Sequence, residues 1–158
     1  MATIIIGMGN PVRSDDSVGL KVVRDLRERL QAKDDVATCE LYAGGIRLME
    51  AMRGFQKAII VDALVTVGGE PGTVHCLRPS DVMMTRNTCS THDASLIDAL
   101  NLGKSLGLPL PEEVAIWAIE AGDVETFSED LTEPVKAAVP KVVQSVLCQI
   151  EAPEELRA

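Results

Sequence analysis

"IIIGMGNPVRSDDSVG", residues 4–19, decides how this chain is read. Residues 3–7 (TIIIG) are an unbroken, β-branched apolar run, the pattern of a strand buried on both faces. The run stops at Gly7-Met8-Gly9-Asn10. Over 16–31 the apolar residues Val18, Leu20, Val22, Val23, Leu26 and Leu30 fall at helical spacing. Strand, glycine turn and helix make the opening unit of an α/β fold. The adjacent Asp15 and Asp16, at the lip of the turn, need a reason.

Outward from this unit the pattern repeats. Residues 36–42 read as a strand broken by Gly44-Gly45, followed by a short helix closed by Gly54. Residues 57–64 (KAIIVDAL) read as a third strand with Asp62 near its carboxyl end. The Gly-Gly-Glu-Pro-Gly turn predicts that 65–68 and 72–77 pair as neighbours. The stretch 79–90 is polar and irregular, a helix is expected over 91–106, and 113–119 (EVAIWAI) reads as a buried strand. A final helix over 131–150 carries Pro140, an expected kink. The alternation predicts one α/β domain over 1–150, with a frayed tail at 151–158. Its sheet is mostly parallel, covered by helices on both faces in three layers, with one antiparallel edge strand.

Composition narrows the function. Of 158 residues 46% are apolar and only 3% aromatic, so the core is aliphatic. Fifteen basic against 24 acidic residues give a net charge of −9, which disfavours nucleic acid and anionic membranes as partners. Cys39, Cys76, Cys89 and Cys148 form no C-x-x-C pair, which fits a reducing compartment. With no signal-peptide pattern and no apolar run of membrane-spanning length, a soluble, cytoplasmic monomer is expected.

In a parallel α/β sheet, ligands bind beyond the carboxyl ends of the strands. There the fold should gather Gly9-Asn10, Gly44-Gly45, Asp16 and Asp62. Ser90 and Asp93 have capping-box spacing, which would put His92 in the first turn of a helix at the same edge. Two carboxylates and an imidazole suit a divalent ion such as zinc or nickel, and equally an acid/base pair. The plainer readings are that Asp15 or Asp16 caps the helix, and that His92 is a polar helix-start residue. An unpaired carboxylate at the end of Ala58-Ile59-Ile60-Val61 would be costly, so Asp62 is the hardest to dismiss. His75 and Glu120 read as structural. The dinucleotide fingerprint fails because Val12 stands at its third glycine, and no phosphate loop, H-E-x-x-H or G-x-S-x-G occurs. Gly-x-Gly-Asn-Pro also opens peptidyl-tRNA hydrolases, but their following histidine is missing here.

The ordered pieces GMGNPVRSDDSVG (7–19), AGG (43–45), IIVDA (59–63), STHDASL (90–96) and AIEAGDVETFSEDLTEPV (118–135) resemble the hydrogenase maturation proteases. The resemblance implies a five-stranded, mostly parallel twisted sheet. It implies an endopeptidase that removes a C-terminal peptide from the precursor of a nickel–iron hydrogenase large subunit once nickel is in place. Asp16, Asp62 and His92 would be both the metal-binding and the catalytic residues, and Gly9, Asn10, Gly44 and Gly45 would hold the substrate peptide. No cofactor would be permanently bound: nickel arrives with the substrate, and zinc or another divalent ion fits the same place. Many members carry Glu where this chain has Asp16, and an aspartate where it has Ala43. The rival readings are a peptidyl-tRNA hydrolase-like esterase and a non-catalytic, metal-dependent maturation chaperone.

Overall fold

A computed structural model describes residues 2–81, 85–87 and 96–152. The elements run β1 (Thr3–Met8), α1 (Val18–Arg29), β2 (Val36–Leu41), α2 (Ile46–Met52), β3 (Lys57–Leu64), β4 (Val74–Leu77), α3 (Leu96–Ser105), β5 (Glu113–Glu120) and α4 (Glu133–Glu151). The five strands form one sheet in the order β2-β1-β3-β5-β4, parallel except for β4 against β5. β1 and β3, with every residue buried, take the interior, as their unbroken apolar runs require.

Helices α1 and α4 cover one face, over Ile5, Val18, Val22, Ile59, Val61, Val142 and Val146. Helices α2 and α3 cover the other, over Ile4, Ile6, Leu48, Met52, Ile60, Leu96 and Ile116. This is the expected three-layer, mostly parallel α/β sheet with one antiparallel edge.

Three local expectations change. Residues 65–68 and 72–77 do not pair: β4 starts at Val74 and lies against β5, with Val74 opposite Ile119 and Leu77 opposite Ile116. The eight-residue β5 satisfies the β3 edge along its whole length, from Lys57↔Glu113 to Leu64↔Glu120. The short, part-exposed VHCL is left for the rim. The first helix starts at Val18, after a 3₁₀ turn at Ser14–Ser17. α4 runs unbroken through Pro140, which stands on its exposed side. Of the expected 91–106 helix, the part from Leu96 is α3; His92, Cys89 and the 153–158 part of the tail lie outside the described residues. Among the described residues, Cys39, Cys76 and Cys148 are free thiols, and no helix is long and apolar enough to cross a membrane.

Candidate active site

The chain passes from β1 to β2 on one side of β1, while β3 lies on the other. The crevice between β1 and β3 is therefore the point where strand order reverses, the place in such sheets that opens for a ligand. Both carboxylates of interest stand there.

Asp62 reaches it by strand periodicity. Ala58, Ile60 and Leu64 point to the α2/α3 side of β3, and Ile59, Val61 and Ala63 to the other. Asp62 belongs to the first set. Pairing of β1 with β3 ends at Gly7↔Val61, so Asp62 lies one residue past it, open to whatever follows β1. Its side chain is fully buried. Oδ1 accepts the Ala63 N–H (2.8 Å) and the Asn87 Nδ2 (2.8 Å), and Oδ2 accepts the Asn87 N–H (2.7 Å). Burial outweighs these bonds and a further one from the Thr85 side chain, and lifts the carboxyl pKa to about 7.

Asp16 arrives by close backbone packing. A Cβ on Gly9 would lie 2.0 Å from the Asp16 carbonyl oxygen, and one on Gly7 2.4 Å from that of Gly19. A Cβ on Gly19 would lie 2.2 Å from the Val61 carbonyl oxygen. These three glycines let the 3₁₀ turn and the start of α1 press onto β1 and β3. Asp16, 3% exposed, accepts the Asn10 N–H on Oδ2 (3.2 Å) and the Asn87 Nδ2 on Oδ1 (2.8 Å). Arg86 Nε lies 3.2 Å from the same Oδ1.

The adjacent Asp15 does something else. It is fully buried and turned toward the 121–132 segment. Its Oδ2 accepts the Gly122 N–H (2.8 Å), the Asp123 N–H (2.9 Å) and the Thr132 hydroxyl (2.8 Å), and its Oδ1 the Thr132 N–H (2.7 Å). Ser14, at φ 48°, is held in a left-handed conformation by its N–H to the Ser128 carbonyl (2.8 Å) and its hydroxyl to that of Asp130 (3.0 Å). Neither aspartate caps α1, whose N-cap is Ser17 with no side-chain capping bond. The pair thus divides: Asp15 fastens a loop and Asp16 faces the crevice.

Asp16 and Asp62 are therefore brought together, two hydrogen bonds from one nitrogen apart. The third expected member, His92, lies outside the described residues. Among the described residues, no group of three His, Cys, Asp or Glu side chains is placed to hold a metal ion. The described part of the site supplies two buried carboxylates, an oxygen donor set that suits a divalent cation and needs further ligands to complete its shell. Gly9 and Asn10 border Asp16, the Gly9 N–H reaching the Leu41 carbonyl at 3.1 Å. Gly44 and Gly45 stand at the end of β2, with Gly45 at φ 65° opening α2 and Ala43 exposed before them. His75 and Glu120 sit further along the same rim. The buried Glu120 accepts the Thr66 hydroxyl at 2.6 Å, and His75 Nε2 lies 3.3 Å from it, off the line of a hydrogen bond. The groove lined by Lys21, Asp25, Asp130, Glu133 and Lys136 shares no residue with the crevice.

Sequence reasoning missed Arg86 and Asn87. No periodicity marks them. The signal available was a requirement: a buried Asp62 must find donors, and 79–90 is a polar segment between β4 and α3.

The family model of hydrogenase maturation proteases matches residues 20–149, which hold Asp62 and Asn87 and begin just after Asp16. The hydrogenase 2 maturation protease of Escherichia coli K12 is 26% identical over 151 residues, covering 95% of this chain and 91% of that protein. The hydrogenase expression/formation protein HupM of Azotobacter chroococcum is 30% identical over 136 residues, 85% of this chain and 64% of its own length. The solved structure of the maturating endopeptidase HybD from E. coli has a TM-score of 0.80 to this chain at 27% identity, covering 94% and 91% of the two. With the family match spanning most of its length and this fold shared, the chain belongs to the hydrogenase maturation proteases.

Proposed function

We propose that this protease removes a C-terminal peptide from the precursor of a nickel–iron hydrogenase large subunit, and that nickel already seated in the precursor is what Asp16, Asp62 and His92 recognise. The observation that supports this most is the pairing of Asp16 and Asp62 in one buried crevice at the strand-order reversal, joined through Asn87. Two carboxylates alone form an incomplete shell. They gain most from an ion that brings its remaining ligands with it, so docking depends on loading. No resident cofactor is needed on this reading, and the protein works as a cytoplasmic monomer.

The nickel, as cargo of the substrate, supplies positive charge to the crevice and draws the peptide against it. The chain's own groups do the proton work. Water adds to the scissile carbonyl carbon and gives its proton to a carboxylate of the pair. Either Asp16 or Asp62, both buried in the crevice, can be that acceptor. That proton passes to the amide nitrogen as the C–N bond breaks, leaving a carboxylic acid on one fragment and an amine on the other. Gly9, Asn10, Gly44 and Gly45 offer main-chain groups to an extended peptide along the rim.

The test is incubation with nickel-loaded and nickel-free precursor, with released peptide read by mass spectrometry. Release from the loaded form alone is expected. Equal rates for both would reject nickel recognition, and release from neither would reject this substrate. Asp16→Asn, Asp62→Asn and His92→Ala should each abolish release while the circular dichroism spectrum is kept.

A further inference from the structure

The side-chain amide of Asn87 stands where a cation shared by the two carboxylates would stand. Its single nitrogen donates to Asp16 Oδ1 and to Asp62 Oδ1 at 2.8 Å each. The two oxygens are thus no farther apart than those bonds laid end to end, about 5.6 Å. Zinc-like ions hold carboxylate oxygens at about 2.0–2.2 Å. An ion bridging the same two oxygens would take the place of the amide nitrogen and draw them closer. A positive charge already assists the amide, since Arg86 Nε lies 3.2 Å from Asp16 Oδ1. The segment carrying both is tied to β3 by main chain: the Arg86 N–H donates to the Ala63 carbonyl at 2.9 Å, and the Asn87 N–H to Asp62 Oδ2 at 2.7 Å. The Asn87 side chain can therefore turn away about its own bonds while its backbone stays in place.

We infer that Asn87, helped by Arg86, is an internal stand-in for the cation and biases the crevice against free ions in favour of one carried in by a polypeptide. It keeps two neighbouring carboxylates hydrogen-bonded when no ion is present, and an incoming ion must displace it. A dilute free ion competes poorly against a tethered donor, because its apparent affinity is reduced by the small fraction of molecules in which the amide has left. A dication carried in by a docked polypeptide arrives at high effective concentration and prevails. Asn87 and Arg86 are positioning residues in this account: they act through Asp16 and Asp62. The inference rests on those two carboxylates being the nickel-facing groups.

The test uses the full chain, freed of metal by a chelator, titrated calorimetrically with zinc chloride and with nickel chloride alone. Asn87→Ala should bind zinc at least tenfold more tightly than the unmodified protein. Arg86→Met, at a part-exposed side chain, should bind it severalfold more tightly and serves as the second arm should Asn87→Ala not fold. A folded Asn87→Ala with unchanged affinity, whatever its melting temperature, overturns the inference, since a purely structural amide would change stability alone. Weaker binding overturns it too, because Asn87 would then be a ligand rather than a competitor. Asp62→Asn separates the two levels of the argument. It should lose zinc binding; if it binds zinc as the unmodified chain does, the site reading fails and this inference with it. If Asp62→Asn loses binding while Asn87→Ala and Arg86→Met bind as before, only the inference fails.

Discussion

Replacing Asp15 should damage the fold, whereas replacing its neighbour Asp16 should damage the activity. Asp15 accepts four hydrogen bonds on two oxygens, three of them from backbone N–H groups of Gly122, Asp123 and Thr132. Asp15→Ala removes every acceptor. An N–H left without a partner costs ~1–3 kcal/mol. Gly122 is exposed and Asp123 and Thr132 are half-buried, so water can reach them, and the low end applies, for a total of about 3 kcal/mol. Asp15→Asn is milder for a geometric reason. Its one oxygen can take the Oδ2 place, where three donors converge, leaving its amide against the lone Thr132 N–H; the expected loss is ~1–2 kcal/mol. A domain of ordinary stability, ~5–15 kcal/mol, stays folded in the cold with either change. Urea unfolding of Asp15→Ala, Asp15→Asn and Asp16→Asn, with peptide release measured at low temperature, tests the ordering. Unfolding of Asp15→Ala within ~0.5 kcal/mol of the unmodified chain would refute the fastening role of Asp15. So would an asparagine variant that is the less stable of the two.

Three further outcomes are expected. The folded state raises the Asp62 carboxyl from 3.8 to about 7, so it holds a proton that the unfolded chain releases. The stability this contributes is complete below pH ~4 and is lost as pH rises through 7, up to ~4 kcal/mol in all. In chelator-treated protein, unfolding free energy should therefore fall relative to Asp62→Asn between pH 5 and 8, and a difference that stays constant with pH would rule this out. Gly9→Ala places a methyl group against the Asp16 carbonyl oxygen, so it should cost ~1–3 kcal/mol and displace Asp16. Full peptide release by that variant would contradict the packing role of Gly9. Lys57 is 1% exposed, and its ammonium faces Glu113 Oε1 at 3.1 Å with no well-aligned hydrogen bond among the described residues. Lys57→Met should leave thermal stability unchanged or raise it by ~1–2 kcal/mol, and a marked drop in the melting temperature would count against it.

What could be read from the sequence was what short-range pattern controls. The apolar runs at 3–7 and 57–64 carry their own burial, and Asp62 stands out because a carboxylate interrupts one of them. The packing role of the glycines at 7, 9 and 19 emerged only in three dimensions, where each lies against the chain's own backbone. The partner of β4 could not be read, because choosing between a sequence neighbour and β5 depends on which strand satisfies β3 along its length. Asp15 and Asp16 looked alike because a 3₁₀ turn, with Ser14 left-handed, sends adjacent side chains in different directions. Asn87 was hidden for the opposite reason to Asp62: a polar residue in a polar stretch breaks no pattern.

The fastening made by Asp15 also marks where the chain can grow. Its bonds hold 122–123 at one end of the segment and 132 at the other, while Ser128 is tied to Val12 and Ser14. Between these moorings, the Glu125 and Thr126 N–H groups both donate to the Asp123 side chain, and Phe127 projects into solvent. Extra residues spliced in at 126–127 would lengthen a free tip and spare the crevice. The same splice at 130–131 would strain the peptide link between Asp15 and Asp16 and be felt at once by the acid beside it.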